Sequence, residues 1–113
     1  AFLAVDINKF LSVDGYDERI FLYCEETMLG IKLRNAGFKT LLLTNETYVH
    51  HHAVSTQKSI PNAVKRRSLL LNSRLFVLKE YMGASKIRLC IARCCYKIAL
   101  VEEAGKILVR KLK

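Results

Sequence analysis

The sequence predicts an α/β fold for residues 1–56, followed by a helical hairpin over residues 57–113. Two short apolar runs in the first part are typical of buried strands, with an amphipathic segment between them. The second part has apolar residues at helical spacing along its whole length. The 113 residues are 51% hydrophobic and 26% charged, which excludes a disordered chain. No apolar run reaches the roughly 18–20 residues that span a bilayer.

The first part is predicted to form a strand, a helix and a second strand. Residues 1–8 are apolar enough for a short strand, and the Asp-Gly step that follows is a strong turn signal. From Glu25 to Ala36 the apolar residues fall on one helical stripe, with two glutamates at the positive end of the helix dipole. Gly37 is a typical residue to end this helix. Residues 39–44 then form the second strand, with three consecutive leucines as its buried run.

The second part is predicted to form two helices that pack as a hairpin. Ser59 is suited to start the first helix, which we expect to end at Gly83, and Ser85 is suited to start the second. Apolar residues of the second helix follow alternating steps of four and three, which predicts that they form the seam of the hairpin. We call this set the 87–112 stripe: Ile87, Ile91, Cys94, Ile98, Val101, Gly105, Leu108 and Leu112.

The net charge of +9 is unevenly distributed. Residues 1–56 contain five basic and seven acidic residues, whereas residues 57–113 contain 14 basic and three acidic residues. This split indicates an acidic site followed by a basic surface. The basic surface is either a solvated helix face or an anchor on anionic lipid. Nucleic-acid binding is disfavoured because aromatic and basic residues are not interleaved and no recognition motif is present.

The four cysteines do not have the spacing of a metal site or a redox motif. None forms a C-x-x-C pair, and Cys94 and Cys95 are direct neighbours, which suits neither a zinc knuckle nor an ordinary disulfide. Cys90 and Cys94 lie one helical turn apart, where cysteine acts as a small hydrophobic residue. This usage favours a reduced, cytosolic setting.

Paired carboxylates at the start of the first helix are the main candidates for chemistry. Glu25 and Glu26 follow an aromatic segment. Such a pair can supply a general base, because one ionised neighbour raises the proton affinity of the other. The alternative is that both side chains only stabilise the helix N-terminus.

The segment GYDERIFLYCEETMLGIKLRNAGFKTLLL resembles the acceptor-side half of the family 2 glycosyltransferases. The family pattern is G-G-[FY]-D-E-x-[FI]-F-x-Y-x-E-[DE], followed by L-x-x-[RK]-x-x-x-x-G-[YF]. The matching residues are Gly15, Tyr16, Asp17, Glu18, Phe21, Tyr23, Glu25, Glu26, Leu29, Lys32, Gly37 and Phe38. The resemblance implies the C-terminal part of a GT-A-like nucleotide-sugar transferase domain over residues 1–56, with residues 57–113 as a basic helical extension like those of bacterial members.

The resemblance also implies a reaction and roles for particular residues. Glu26 matches the catalytic base that deprotonates the acceptor hydroxyl, with Glu25 as the second choice. The acceptor oxygen then attacks the anomeric carbon of a nucleotide-activated sugar, with inversion. Asp17, Glu18 and Tyr23 are the implied acceptor-binding residues. The implied acceptor is a saccharide or a lipid-linked saccharide of polysaccharide biosynthesis, at the cytoplasmic face of the plasma membrane.

Three consecutive histidines, His50, His51 and His52, follow the second predicted strand. Histidine is a common ligand of divalent metals, and alternate residues of an extended segment share one side. The family resemblance implies that a histidine here helps to hold the metal, Mn or Mg, that binds the donor diphosphate. Which of the three does so stays open, as does the alternative that all three are surface residues.

The nucleotide-binding half of such an enzyme, with its D-x-D motif, is absent from this sequence. We therefore expect a piece of a longer transferase that is inactive alone, binds no cofactor tightly and oligomerises through uncovered apolar surface. The alternative function is a non-enzymatic basic helical module that binds anionic membrane or nucleic acid.

Overall fold

The computed structural model describes residues 3–49 and 54–112, and the chain divides into two compact units, residues 1–52 and 53–113. The domain boundary predicted at residue 56 stays a prediction. Every regular element in the described residues is helical: α1 (Ile7–Ser12), α2 (Glu25–Asn35), α3 (Val54–Ser59), α4 (Ala63–Phe76), a π-helical turn (Val77–Tyr81) and α5 (Lys86–Lys111). Within those ranges, no helix combines the length and hydropathy that crossing a bilayer requires.

The predicted α/β, GT-A-like fold is wrong, because the described residues contain no strand. Residues 3–6 have no regular structure, and α1 begins inside the first predicted strand. The second predicted strand, residues 39–44, is also irregular, and Leu41, Leu42 and Leu43 are 83%, 87% and 69% exposed. A strand needs a neighbour for its backbone hydrogen bonds. The described residues offer this apolar run no such neighbour, so its β-propensity is not realised.

The first unit begins with a short helix and a tight turn. The Asp6 carboxylate accepts hydrogen bonds from the backbone N–H groups of Asn8 (2.9 Å) and Lys9 (3.2 Å), which starts α1. The predicted turn is present, with Gly15 at φ 49° and its N–H donating to the Phe10 carbonyl oxygen at 2.9 Å. The rings of Phe10 and Tyr16 then pack edge to face, with centroids 5.3 Å apart.

Helix α2 provides the core of the first unit, and its prediction over residues 25–36 is confirmed to within one residue. Met28 and Leu29 are each 1% exposed, and Ile31 is also buried. Gly37 ends the helix as predicted, at φ 83°. The Lys32 ammonium donates to the carbonyl oxygen of Gly15 at 3.0 Å, so α2 is attached to the preceding turn.

The first long helix of the second unit starts later than the sequence predicts. Ser59 is the last residue of α3, and α4 begins after Asn62, whose side-chain oxygen accepts a hydrogen bond from the Lys65 N–H at 2.9 Å. The Arg66 guanidinium donates to the carbonyl oxygens of Ile60 and Pro61 in the connection between the two helices. Asparagine caps the start of a helix as well as serine does. Of Ser59 and Asn62, Asn62 is the one that an uninterrupted helix follows.

Helices α4 and α5 pack against each other as an antiparallel hairpin. Leu71 and Ser73 of α4 and Val77 of the π-helical turn are buried. Residues from the start of α4 and from the C-terminal part of α5 line one open cavity, which fixes the antiparallel direction. The predicted start of α5 is confirmed, since the Ser85 hydroxyl accepts from the Arg88 N–H at 3.4 Å.

The π-helical turn lengthens α4 beyond its last regular residue. The Met82 N–H donates to the Val77 carbonyl oxygen at 3.1 Å, across five residues rather than four. The ring centroids of Phe76 and Tyr81 lie 6.3 Å apart, and Met82 is 59% exposed. Gly83 follows at φ 59° and leads the chain into the connection to α5.

The 87–112 stripe does not form the seam of the hairpin. Its large residues are exposed: Ile87, Ile91, Ile98, Val101, Leu108 and Leu112. A second set on α5 is half-buried instead and includes Leu89, Tyr96, Leu100 and Ile107. No disulfide joins the four cysteines, and Cys90, Cys94 and Cys95 are exposed on α5. Helix α5 therefore has two apolar faces, and the more regular one points to solvent.

An ion pair on α5 shifts the pKa of Glu102. The Lys106 ammonium donates to the Glu102 carboxylate at 2.6 Å, one turn away. This hydrogen bond and the charge of Lys106, with a smaller effect of Arg67, lower the pKa of Glu102 below 4.5. Because the folded pKa is lowered, the pair stabilises the protein above pH 4.5, and this contribution is lost as pH falls through the folded pKa.

Replacing the cation of this pair should reverse the shift. We expect Lys106→Gln to raise the pKa of Glu102 back toward 4.5, because the charge and the charged donor are both removed. Carboxyl-carbon NMR titration of the two proteins measures the change. Lys97→Gln, which removes an exposed cation elsewhere on α5, is the control and should leave the midpoint of Glu102 in place. An unchanged midpoint in Lys106→Gln would contradict this explanation.

Two glycines of the first unit should respond oppositely to the same substitution. A Cβ on Gly15 would lie 2.6 Å and 2.7 Å from the Phe10 ring, at a positive φ. Gly15→Ala should therefore destabilise the chain by about 2 kcal/mol. Gly30 lies inside α2 with nothing within 4 Å of the added Cβ. Gly30→Ala should stabilise it by up to about 1 kcal/mol. Urea denaturation measures both; equal effects would contradict the packing described here.

Candidate functional site

The start of α2 is a strained helix entrance. The two residues before it, Tyr23 and Cys24, both have left-handed backbone conformations, at φ 71° and 69°. For residues other than glycine this conformation costs roughly 1–2 kcal/mol each. Such conformations persist only where the surrounding structure holds them, and they are common at functional sites.

Glu25 holds this entrance in place. Its Oε1 accepts a hydrogen bond from the Tyr23 N–H at 2.8 Å, and the side chain is half-buried. The Met28 N–H donates to the Cys24 carbonyl oxygen at 3.0 Å, which closes the first turn of α2. The side chain of Glu25 thus reaches back toward Tyr23, and its carboxylate provides the hydrogen-bond acceptor for the Tyr23 N–H.

Glu26 is placed differently. It is exposed, and no side-chain partner for it is found among residues 3–49 and 54–112. Successive residues of a helix point about 100° apart, so Glu26 projects away from the entrance that Glu25 closes. Both carboxylates lie in the first turn, where the helix dipole favours negative charge. Of the two, Glu26 is the more exposed, and Glu25 is the one bonded to the backbone.

Asp17, a predicted acceptor-binding residue, is held by Arg19. The Arg19 guanidinium donates to both carboxylate oxygens of Asp17, at 2.9 Å and 2.7 Å, and the Arg19 N–H adds a third bond at 3.1 Å. The Asp17 side chain is 7% exposed. Bidentate pairs of this kind are strong and directional. A sugar hydroxyl that binds Asp17 would have to share the carboxylate with Arg19.

The other two predicted acceptor-binding residues lie between the ion-paired residues (Glu18) and just before α2 (Tyr23). Glu18 is exposed, and Tyr23 is half-buried with its backbone held by Glu25. The roles of Asp17, Glu18 and Tyr23 in acceptor binding stay predictions. The sequence analysis did not predict the ion pair between Arg19 and Asp17. Opposite charges two residues apart in a turn could have indicated it.

The predicted metal ligands His50, His51 and His52 lie outside the described residues. Within residues 3–49 and 54–112, no three histidine, cysteine, aspartate or glutamate side chains come together in a way that could hold a metal ion. Binding of Mn or Mg by the predicted histidines stays a prediction.

Comparison with known proteins indicates a relationship to glycosyltransferases. Two curated relatives, from Mycobacterium tuberculosis strains CDC 1551 / Oshkosh and ATCC 25618 / H37Rv, are each 39% identical to this chain over 54 residues. Both are named N-acetylglucosaminyl-diphospho-decaprenol L-rhamnosyltransferase. The match covers 48% of this chain and 18% of each relative. No family model and no solved structure matches the chain.

These relatives support the sequence resemblance at the level of a glycosyltransferase fragment. Assignment to family 2, and inversion at the anomeric carbon, stay predictions. The chain spans less than a fifth of the length of the curated relatives it matches.

Removing either glutamate of the helix entrance should separate their structural roles. Glu25→Ala leaves the half-buried Tyr23 N–H without its acceptor and should cost about 1–3 kcal/mol of unfolding free energy. Glu26→Ala removes only a favourable interaction with the helix dipole, about 0.3–1 kcal/mol. Urea denaturation of the 113-residue chain measures both values. A larger loss in Glu26→Ala would show that the roles are reversed.

Proposed function

We propose that this chain is the acceptor-side part of a family 2 glycosyltransferase that moves a sugar from a nucleotide-sugar donor to a saccharide or lipid-linked acceptor, with inversion. The observation that carries the proposal is the pair at the start of α2: Glu25 is bonded to the Tyr23 N–H, and Glu26 is exposed beside it. The similarity to two rhamnosyltransferases supports the same class of reaction.

Glu26 is the general base in this proposal. Its carboxylate takes the proton of the acceptor hydroxyl as the acceptor oxygen forms a bond to the anomeric carbon. The bond from that carbon to the donor phosphate oxygen breaks, and the nucleoside diphosphate leaves with the bonding pair. A base must be held in one direction to work efficiently. The strained entrance, closed by Glu25, supplies this rigidity to the first turn of α2.

The acceptor class follows from the names of the relatives. Those proteins are named as transferring L-rhamnose to an N-acetylglucosaminyl group that is attached through diphosphate to decaprenol. For this chain we propose an acceptor of the same chemistry, a saccharide linked to a polyprenyl diphosphate. Enzymes of this class act where the lipid is embedded, so the proposed location is the cytoplasmic face of the membrane.

The donor side of the reaction belongs to residues outside this sequence. We propose that a longer protein contributes the nucleotide-binding half, and that Mn or Mg, held in part by His50, His51 or His52, neutralises the donor diphosphate. Imidazole is a suitable ligand for such a cation. Within this chain the proposal assigns deprotonation to Glu26 and acceptor binding to Asp17, Glu18 and Tyr23.

The role of Glu26 can be tested in the complete protein. Glu26→Gln keeps the shape of the side chain but cannot accept the acceptor proton. We expect turnover to fall by roughly 10²- to 10⁴-fold, the usual loss for a general base. Donor affinity should stay unchanged, because the base does not contact the diphosphate. Turnover is measured with a nucleotide-sugar and a polyprenyl-diphosphate-linked saccharide, and donor affinity by calorimetry.

Glu25→Gln is the matched control for this experiment. It retains an oxygen that accepts from the Tyr23 N–H, so it should keep most of the turnover. A merely structural Glu26 would give the opposite result: normal turnover in Glu26→Gln, with only the small stability loss of a helix-terminal charge. Full turnover of Glu26→Gln would contradict the proposed base.

A further inference from the structure

The 87–112 stripe is an exposed apolar face on a long helix. Helix α5 has 26 residues, which corresponds to a length of about 39 Å. Along it Ile87, Ile98 and Val101 are 73%, 69% and 73% exposed, and Leu112 is 79% exposed. The opposite face of the helix already packs against α4. The hairpin therefore leaves a continuous apolar surface that its own fold does not cover.

Positive charges lie along both sides of this surface. Projected at 100° per residue, Lys86 and Lys97 fall beside one edge of the 87–112 stripe. Arg88 and Lys106 fall beside the other, and all four are exposed. Glu102 also lies near the second edge, where Lys106 is bonded to it. An apolar stripe between two rows of basic residues is the pattern of helices that lie in a membrane surface.

We propose that α5 docks on an anionic bilayer, parallel to its plane, with the 87–112 stripe in contact with the acyl chains. The long aliphatic parts of the flanking lysines and arginines then follow the apolar surface, while their charges reach the lipid phosphates. This surface differs from the one the sequence suggested, because the residues assigned to the hairpin seam make the contact. Lipid binding by α5 does not require sugar transfer, so either proposal can fail alone.

Charge argues for lipid and against a second copy of the chain as the occupant. Residues 57–113 contain 14 basic and three acidic residues, so two such hairpins would repel each other. The stripe also contains Cys94 and Gly105, which are too small to fill the core of a coiled coil. The acyl chains of a bilayer fill such gaps. Its anionic lipids also supply negative charge opposite the basic residues on both sides of the stripe.

Vesicle binding by the full 113-residue chain tests the apolar part of this surface. The probes are vesicles of pure phosphatidylcholine and vesicles containing one-third phosphatidylglycerol. Ile91→Ser with Ile98→Ser should weaken binding to the anionic vesicles by roughly tenfold or more. The control, Cys95→Ser with Ala104→Ser, changes two exposed residues of α5 outside the stripe and should bind as the original chain does. Circular dichroism in buffer confirms that both variants keep their helices.

The charged part is tested by Arg88→Gln with Lys97→Gln. At about 1 kcal/mol for each cation near the surface, binding to the anionic vesicles should fall about thirtyfold, with no change on phosphatidylcholine. Loss of binding in this variant together with normal binding of the isoleucine variant would overturn the proposal, since the stripe would then not touch the lipid.

Two neighbouring cysteines give a direct measure of orientation. Cys94 lies in the stripe, and Cys95 lies about 100° away on the same helix. Both are exposed. Single-cysteine chains labelled with an environment-sensitive fluorophore should show a blue shift on anionic vesicles at Cys94 and little change at Cys95. Equal shifts would overturn the proposed orientation. A shift at Cys94 that grows with protein concentration in the absence of vesicles would instead identify a second copy as the occupant.

Discussion

The hydrogen bond from the Tyr23 N–H to the Glu25 carboxylate is the interaction on which the candidate site depends. It lies over two consecutive left-handed residues, whose conformational cost would otherwise favour a rearranged helix start. By fixing where α2 begins, it also fixes the direction in which Glu26 leaves the helix. One helical turn further along α2, Met28 and Leu29 are buried in the core. One carboxylate thus accepts a backbone hydrogen bond, and the neighbouring carboxylate of Glu26 is exposed.

In the second unit, helix α5 has two apolar faces, and either face could in principle pack against α4. The face of α5 that meets α4 contains Tyr96, Leu89 and Leu100 together with small and polar residues. The 87–112 stripe is the more regular pattern, yet it is exposed. Regular spacing shows which residues share a face of a helix. It does not show which face meets the partner helix, because that depends on the connection and on the partner's own buried residues.

Most local signals in the sequence predicted local structure, although Ser59 ends a helix instead of starting one. Gly37, Ser85 and the start of α2 act through hydrogen bonds within a few residues, and all three behave as predicted. The strand at residues 39–44 was wrong because a strand is stabilised by a distant neighbour, which a local run of leucines cannot provide. Likewise, the sequence identified Glu25 and Glu26 as a pair, whereas their division of roles depends on backbone angles that side-chain chemistry does not reveal.

The π-helical turn at Val77–Tyr81 makes the hairpin tolerant of changes in chain length. A π-helical turn contains one residue more than the α-helical turn it replaces. The extra residue is taken up inside the helix, while Val77 stays buried and the connection from Gly83 to Ser85 keeps its place. We therefore expect a chain that gains or loses one residue at this point to form the same pair of helices. Insertions and deletions in this architecture should accumulate at the end of α4 before they appear in the connection itself.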